Sequence, residues 1–385
     1  MAGEQRESPG PVRPTSATIA RRAGVSKALV SYALNGRPGP SPATRARILA
    51  IADEVGWHPH QAARALSALR FYGRPPPVAF GLVLARSAGT LAYEPFFARL
   101  ISGIEAELSA RQVALMLQVV EDACAEAAAL RRWWAERRVD GVLLVDLRVD
   151  DPRVPVVEQL GMPAVIVGGP GPTGALAYVA GNDAGGMDEI VKHLVALGHR
   201  QIDRVAGLTE FVSTQARAQA FEEALASSGA RGRVLSTDFS SSAGASATRE
   251  LLEGSPRPSA IVYDNDIMAV AGLGVAQEMG IAVPLELSVV SYEDSPMCQV
   301  VRPSLTACTR DIVAYGARSA RTLIALVEGK PVASHLEERP RLVPRASTSG
   351  PLGERAGRAR ATSVLPASNG AHKGPTGQDM ANASS

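Results

Sequence analysis

The pattern of apolar and polar positions along the chain changes near residue 78. Before it, apolar residues recur at helical spacing within short segments, and after it short apolar runs alternate with amphipathic segments. Such alternation predicts an α/β domain of parallel sheets covered by helices on both faces, and the length suits two sheets. The predicted strands are 78–84, 113–119, 141–145, 164–167, 202–206, 260–263 and 288–292. The predicted helices are 96–110, 123–137, 185–197, 214–228, 266–279 and 312–328.

The N-terminal segment predicts a small all-α domain of the helix-turn-helix type. A first helix ends at Arg22, and Gly24 allows the left-handed turn that follows. Ser26 is placed as the N-cap of a second helix, and Ser41 with Pro42 opens a third. Side chains of the second helix that point away from the small apolar core are Lys27, Ala28, Ser31 and Tyr32. A second helix of this kind is typically laid in the DNA major groove.

Composition divides the chain further. Residues 1–14 and 346–385 are rich in small and polar residues, which predicts disorder. The triple proline that ends at Pro77 cannot continue a helix, so we expect a linker there. The predicted parts between the two tails are 15–59, 60–77 and 78–345, and the second of them holds a short helix at 61–69.

The formal net charge of +2 hides an uneven distribution. Between Thr15 and Arg74 there are nine basic residues and two acidic ones, whereas the remaining chain is near neutral or slightly acidic. A basic head on a neutral body fits a domain that binds a polyanion. A solvated surface with a chance excess of arginine is the alternative.

Several classes of protein are disfavoured. No run of about eighteen apolar residues predicts a membrane span, and the N-terminus lacks the apolar segment of a secretion signal. The three cysteines are far apart, as expected of reduced thiols in a cytoplasm. Motifs of metalloproteases, α/β-hydrolases and P-loop enzymes are missing. We therefore expect a cytoplasmic protein that is not an enzyme and has no catalytic residue, cofactor, metal or membrane partner.

The order of these segments resembles the LacI/GalR (lactose and galactose repressor) family of bacterial transcription regulators. The matching pieces of the head are Ile19-Ala20, Ala23-Gly24-Val25-Ser26, Val30-Ser31, Leu34-Asn35, Thr44-Arg45 and Pro59 with Ala62-Ala63-Arg64-Ala65-Leu66. Those of the second region include Gly181-Asn182-Asp183-Ala184-Gly185-Gly186, Arg217 with Phe221, Asp264-Asn265-Asp266, Ser288 to Asp294 and Pro303-Ser304-Leu305-Thr306.

This resemblance implies an N-terminal helix-turn-helix head with a hinge helix, followed by an effector-binding and dimerisation domain similar to periplasmic sugar-binding proteins. That domain would have two parallel-sheet subdomains joined by three crossovers, with a ligand cleft between them. We expect the chain to leave the first subdomain near Tyr178 and to return near Leu305.

The resemblance also implies roles at the DNA. Lys27, Ala28, Ser31 and Tyr32 occupy the family's base-facing positions, where Lys27 can donate to guanine and Ala28 can contact a thymine methyl group. Tyr32 departs from the Arg or His often found there, so base choice at that position is open. Candidates for phosphate contacts are Thr15, Ser26, Asn35, Ser41 and Thr44. The alternatives are ordinary surface residues and, for the two serines, pure helix capping.

The hinge helix carries three further DNA-binding candidates: His60, Ala63 and Leu66. Leu66 matches the leucine that the family wedges into the minor groove, and an ordinary apolar helix residue is the alternative. His60 stands where the family usually has Asn, so backbone contacts there can differ and can become sensitive to pH.

Candidates for the effector site are Phe96, Phe97, Arg217, Asn265, Asp266 and Glu293. Arg217 lies near a predicted helix start, where the helix dipole disfavours a cation, and the family places a ligand-gripping Arg there. Glu293 stands where the family commonly has Asp. The alternatives are a surface arginine, capping at strand ends and, for the two phenylalanines, core packing.

The sequence therefore predicts a cytoplasmic transcription regulator, taken as a repressor, that binds a pseudo-palindromic operator as a homodimer. A small-molecule effector controls it, with a sugar as the default and a nucleobase as the second choice. The alternatives are an activator of the same family and a small-molecule binding protein without a DNA role. Whether the effector induces or co-represses is not fixed by the sequence.

Overall fold

The computed structural model describes residues 14–34, 36–57, 77–86, 94–171 and 173–351. The chain divides into two compact units, Met1–Val78 and Ala79–Ser385. Within the described part, no helix is long and apolar enough to cross a membrane.

The first unit holds three helices: α1 (Ser16–Ala23), α2 (Lys27–Leu34) and α3 (Pro42–Glu54). Helix α1 ends at Ala23, one residue beyond the predicted end. Gly24 follows it with a φ of 64°, the left-handed conformation expected there. Ser26 accepts a hydrogen bond from the Leu29 amide at 3.2 Å, as an N-cap does. Ile19, Val30 and Ile48 are fully buried where the helices meet. The predicted helix-turn-helix head is confirmed.

The N-terminal subdomain of the second unit is built on a six-stranded parallel sheet of order β11-β5-β4-β3-β1-β2. Its strands are β1 (Ala79–Ala85), β2 (Ala114–Val120), β3 (Gly141–Val145), β4 (Ala164–Val167), β5 (Ala177–Ala180) and β11 (His335–Leu336). Helices α4 and α12 cover one face, and α5 and α6 cover the other. These helices are α4 (Pro95–Ser109), α5 (Ala123–Ala135), α6 (Arg153–Leu160) and α12 (Ile312–Val327).

The C-terminal subdomain repeats this plan with the order β12-β10-β9-β8-β6-β7, in which only β12 runs antiparallel to its neighbour. Its strands are β6 (Ile202–Ala206), β7 (Val234–Ser236), β8 (Ala260–Tyr263), β9 (Ser288–Ser291), β10 (Thr306–Thr309) and β12 (Arg341–Val343). Its helices are α7 (Asp183–Ala196), α8 (Val212–Ser228), α9 (Ser241–Glu253), α10 (Asp266–Glu278) and α11 (Pro296–Val300).

The chain crosses between the subdomains three times: after β5, between β10 and α12, and between β11 and β12. The expected number of crossovers is confirmed, and the first two lie within a few residues of the expected positions. All seven predicted strands and six predicted helices of this unit are present, with ends shifted by up to two residues.

Five strands and three helices of this unit were not predicted: β5, β7, β10, β11, β12, α6, α9 and α11. The strands have only two to four residues, and their pairing with neighbouring strands defines them more than a run of apolar residues does. Helix α9 is rich in Ser, Ala and Gly, and α6 and α11 contain proline, and these residues weaken the helical pattern in the sequence.

The closest helix packing in the N-terminal subdomain is between α4 and α12. A Cβ atom on Gly103 would overlap the carbonyl oxygen of Val313, and one on Gly316 would overlap that of Leu100. The two helix backbones therefore approach each other through reciprocal glycines, and side chains there would force them apart.

We expect Gly103→Ala to lower the stability of the second unit by about 1–3 kcal/mol, because the added methyl group meets rigid backbone. Gly274→Ala is the matched control: Gly274 lies inside α10 with no atom within 4 Å of an added Cβ. That change should be neutral or stabilising by up to about 1 kcal/mol. Thermal unfolding checks both, and equal melting temperatures for the two variants would contradict the close approach.

Candidate DNA-binding face and effector cleft

The four predicted base-facing residues share the exposed side of α2. Lys27, Ala28, Ser31 and Tyr32 are all exposed, whereas Val30 and Ala33 of the same helix are buried. Tyr32 exposes 40% of its surface, which is unusual for so large a ring and leaves it available to a partner. The structure thus brings these four side chains together on one face, and their base contacts remain predictions.

The candidate phosphate-binding hydroxyls lie at the starts of helices. Thr15 accepts a hydrogen bond from the Thr18 amide at 3.3 Å, and Ser41 accepts one from the Thr44 amide at 3.2 Å. The capping alternative given for the serines thus describes the bond of Ser41, and Thr15 caps its helix in the same way. A hydroxyl group that accepts a bond can still donate its hydrogen, and a helix N-terminus favours a phosphate, so both roles are compatible.

Two basic side chains of the head are held within it. Arg45 donates to the carbonyl of Ala33 at 3.1 Å and to that of Arg37, which fixes the chain beyond α2. Arg22 pairs with Glu54 at 3.0 Å. The basic excess counted from sequence therefore overstates the charge that this unit can offer to DNA. The candidates Asn35, His60, Ala63 and Leu66 lie outside the described residues.

In the second unit, polar side chains gather where the strands of both sheets end. A cavity lies between the two subdomains at the carboxyl ends of their parallel strands, which is where ligands bind in open α/β sheets. Residues that line it just after strand ends are Arg86, Asp146, Gly168, Asp264 and Glu293. All six predicted effector-site residues line this cavity.

Arg217 is a residue of α8, and it is buried in the wall of the cavity. Its Nε donates to Asp183 at 2.8 Å, and its guanidinium lies 3.8 Å from the centre of the Tyr292 ring. Burial alone would raise the pKa of Asp183, but Arg217 and Arg310 hold that pKa below its usual value. Arg217 is therefore an ion-paired arginine of the site, not the surface residue of the alternative interpretation.

The three polar candidates after strands β8 and β9 also have protein partners. Asn265 caps α10 by accepting from the Met268 amide at 2.9 Å, and its amide nitrogen donates to the Phe239 carbonyl at 3.1 Å. Asp266 accepts from the Ser295 hydroxyl. Glu293 accepts from Arg310. Capping thus accounts for one of the two bonds of Asn265, and all three residues line the cavity.

The two phenylalanines differ in their surroundings. Phe97 is 3% exposed and belongs to the core between the first sheet, α4 and α12. Phe96 is half-buried, meets Phe97 edge-on at 5.3 Å, and lies 5.4 Å from the guanidinium of Arg310. Core packing describes Phe97, so Phe96 is the better candidate for stacking on a ligand.

Sequence reasoning missed a second group of cavity residues around Arg86. Its guanidinium lies 2.8 Å from Asp146, 3.5 Å from Glu94 and 4.8 Å from the centre of the Phe211 ring. Phe211 in turn stacks on Phe239 with 6.2 Å between ring centres. Arg86 and Asp146 directly follow apolar strands, so the strand-end rule is the signal that finds them.

Backbone hydrogen bonds join the two subdomains at this cleft. The Val149 amide donates to the Glu210 carbonyl at 3.0 Å, and the Val212 amide donates to the Leu147 carbonyl at 2.9 Å. The Arg148 guanidinium adds an ion pair with Glu210 at 3.1 Å. This short antiparallel bridge lies between segments that carry cavity residues, so it holds the two walls of the cleft together at this point.

Comparison with known proteins gives the family. Residues 17–60 match the bacterial regulatory proteins of the lacI family, and residues 191–348 match the periplasmic binding protein-like domain. The HTH-type transcriptional regulator CelR of Thermobifida fusca is 32% identical over 323 residues, or 83% of this chain and 93% of that protein. The chain belongs to the LacI family of bacterial regulatory proteins.

Two solved structures of the LacI family resemble this one over nearly their whole length. The transcriptional regulator CelR–cellobiose complex has 30% identity and a TM-score of 0.66, and the match covers 87% of this chain and 100% of that chain. The Lac repressor dimer bound to operator and the anti-inducer ONPF has 24% identity, a TM-score of 0.76 and coverage of 88% and 100%. The predicted family and fold class are confirmed.

Glu94 has an unusual environment in this LacI-family cleft. Its side chain is 9% exposed, and its Oε2 atom accepts no hydrogen bond from any described residue. Burial raises the pKa of Glu94 to about 7, although the nearby Arg86 opposes that rise. The folded protein thus holds this proton more tightly than an unfolded chain, so ionisation of Glu94 destabilises the fold as the pH rises through neutrality.

We therefore expect Glu94→Gln to melt above the wild type at about pH 8, where the wild-type carboxylate is charged, and near it at about pH 5, with a gain of roughly 1–3 kcal/mol. Glu136→Gln is the control, because Glu136 is an exposed carboxylate outside the cleft. It should change stability by no more than about 0.5 kcal/mol at either pH. Identical melting of Glu94→Gln and wild type at both pH values would contradict the assignment.

Proposed function

We propose that this chain is a sequence-specific DNA-binding transcriptional repressor that binds a pseudo-palindromic operator as a homodimer and is controlled by a small molecule in the cleft. The exposed face of α2 carries the proposal. It presents Lys27, Ala28, Ser31 and Tyr32 together, opposite a core that fixes the helix in its unit. A rigid helix with a donor, a small apolar group and an aromatic ring is suited to the major groove.

The proposed effector is a sugar. Carbohydrates are held by hydrogen-bonding groups around an aromatic surface, and the cleft offers Phe96 and Phe211 among carboxylates and arginines. CelR, a relative with a solved complex, holds cellobiose. We therefore take cellobiose as the first probe for this protein, with a nucleobase as the second class to test.

Coupling between cleft and head follows from the subdomain contacts. A ligand that contacts both walls of the cleft shifts the equilibrium between its open and closed forms if it binds one form more tightly. The bridge between residues 147–149 and 210–212 is one of the contacts that such a shift would affect. The resulting movement of the N-terminal subdomain would alter the spacing of the two hinge segments in the dimer, and hence operator affinity. We propose that this takes place in the cytoplasm and involves no catalytic step.

The direct test is selection of fragments from random duplex DNA by the purified full-length protein at two salt concentrations. We expect an enriched inverted repeat with an easily kinked pyrimidine–purine step at its centre. A single unrepeated site would contradict binding as a symmetric dimer. Binding that enriches no sequence and falls steeply with salt would be phosphate attraction alone, and would contradict sequence recognition.

Within the selected operator, Lys27→Ala should relax the base preference at one position in each half-site. It should also reduce the free energy of operator binding by about 1–3 kcal/mol. Competition binding against a library of single-base operator variants measures this. Lys330→Ala is the matched control, since Lys330 is an exposed lysine beyond α12. Equal losses on operator and random DNA would show that Lys27 contacts phosphate instead of a base.

Arg217→Lys tests the cleft while it keeps a positive charge beside Asp183. We expect roughly tenfold weaker cellobiose binding, because a lysine lacks the fork that can bond Asp183 and a ligand oxygen at the same time, with operator binding retained. Arg217→Ala is less informative, because it leaves the Asp183 carboxylate buried without its cation and so destabilises the fold. Calorimetry and melting curves check both, and unchanged cellobiose binding by the lysine variant would remove Arg217 from the site.

A further inference from the structure

The region of the cleft around Glu94 carries more negative than positive charge. Glu94 and Asp146 share one guanidinium, that of Arg86, whose Nη2 lies 2.8 Å from Asp146 and whose Nε lies 3.5 Å from Glu94. Asp266 interacts electrostatically with Glu94 and accepts its side-chain bond from a serine hydroxyl. Two carboxylates therefore share one arginine, and the charge of a third, Asp266, acts on Glu94.

The other arginines that line the cavity offset this excess only in part. Arg217 pairs with Asp183, and Arg310 pairs with Glu293. Arg99 donates to the backbone carbonyl of Asp294 at 3.0 Å and more weakly to that of Arg310. Each of these cations bonds to at least one protein group, but the Nε of Arg310 has no hydrogen-bond partner among the described residues. Repulsion by the nearby carboxylates, and not a lack of donors, would therefore weaken the binding of an anionic ligand.

The Oε2 of Glu94 and the Nε of Arg86 lie 3.5 Å apart as an ion pair, and neither of these buried atoms has a hydrogen-bond partner among the described residues. Both side chains are 9% exposed and both line the cavity. Buried polar atoms in folded proteins are nearly always hydrogen-bonded. An acceptor oxygen left open at a cavity wall therefore points to a donor that enters the cavity.

We propose that Glu94 is a specificity-determining residue of the cleft: it accepts a hydrogen bond from a hydroxyl or ammonium group of the effector, and with Asp146 and Asp266 it excludes phosphorylated and carboxylated ligands. This inference rests on the proposed function of the cleft as an effector site. It adds the charge class of the effector, which neither the fold nor the position of the cavity fixes.

A dependence on pH follows from the proposal. A ligand that donates to the Glu94 carboxylate favours its ionised form, so binding releases a proton wherever the unbound protein holds one. The groups facing Glu94 are Arg86 after β1, Asp146 after β3 and Asp266 at the start of α10. With the pKa of Glu94 raised by burial to about 7, affinity for a neutral donor should rise about tenfold between about pH 6 and about pH 8.

The test is calorimetry on the full-length protein with three disaccharides of one shape. They are cellobiose, the β-1,4-linked dimer of glucosamine, and cellobiose with one hydroxymethyl group oxidised to a carboxylate. Titrations at about pH 6 and about pH 8, in two buffers of different ionisation heat, count the protons exchanged. We expect cellobiose or the amino dimer to bind, and the acidic dimer to bind at least about tenfold more weakly.

Variants separate Glu94 from general effects of charge. Glu94→Gln should weaken the binding of cellobiose about tenfold at about pH 8 and abolish its rise with pH, because the amide cannot ionise. Glu136 is an exposed residue outside the cleft, so Glu136→Gln should change neither the affinity for cellobiose nor its rise with pH. Tighter binding of the amino dimer than of cellobiose would identify an ammonium donor, and the reverse would identify a hydroxyl donor; both outcomes support the inference.

Three results would overturn it. These are equal affinity for the acidic dimer and cellobiose, a pH profile that Glu94→Gln preserves, and an absence of binding by both the neutral and the amino sugar. None of them decides the DNA-binding role. The operator selection measures that role separately, so failure of the ligand inference and failure of the proposed function are distinguishable.

Discussion

Buried charge that must find a partner is the constraint on which the cleft depends. Parallel strands bring polar side chains to their carboxyl ends, and two sheets facing each other place those ends around one cavity. Charges buried there are stable only when paired and hydrogen-bonded. Arg217 with Asp183 meets that condition. The Glu94 carboxylate meets it only in part, because its Oε2 atom has an ion-pair contact but no hydrogen bond among the described residues. A ligand that donates a hydrogen bond at such a position gains binding free energy.

The same cleft is also where the subdomains touch, which connects binding to movement. The bridge between Leu147–Val149 and Glu210–Val212 joins a loop after β3 to the segment before α8. Arg86, from the first subdomain, lies against the rings of Phe211 and Phe239 from the second. A ligand that touches these groups favours one relative position of the subdomains over another. Because the three crossovers are short, they restrict the subdomains to a few relative positions. A switch requires such a small number of alternative arrangements.

Much of this fold was predictable from sequence, and the limits have physical causes. Apolar runs such as Gly141–Val145 and caps such as Ser26 and Ser41 are local signals, and their elements were placed within two residues. The strands β11 and β12 have no such signal, because distant neighbours create them. In the site, Arg217 and Glu293 came from the family resemblance. Glu94 and its surroundings did not, since burial and the sharing of Arg86 with Asp146 arise only when residues far apart in the chain meet.

The central claim is that the cleft and the head are energetically coupled, and reciprocity tests it most directly. Operator affinity would be measured with and without saturating cellobiose, and cellobiose affinity with and without saturating operator, on the same full-length protein. Linkage requires both affinities to change by one common factor, which for allosteric proteins is typically about 5- to 150-fold. We predict equal factors clearly different from one. Cellobiose that binds with the same affinity in the presence and absence of operator would contradict the account.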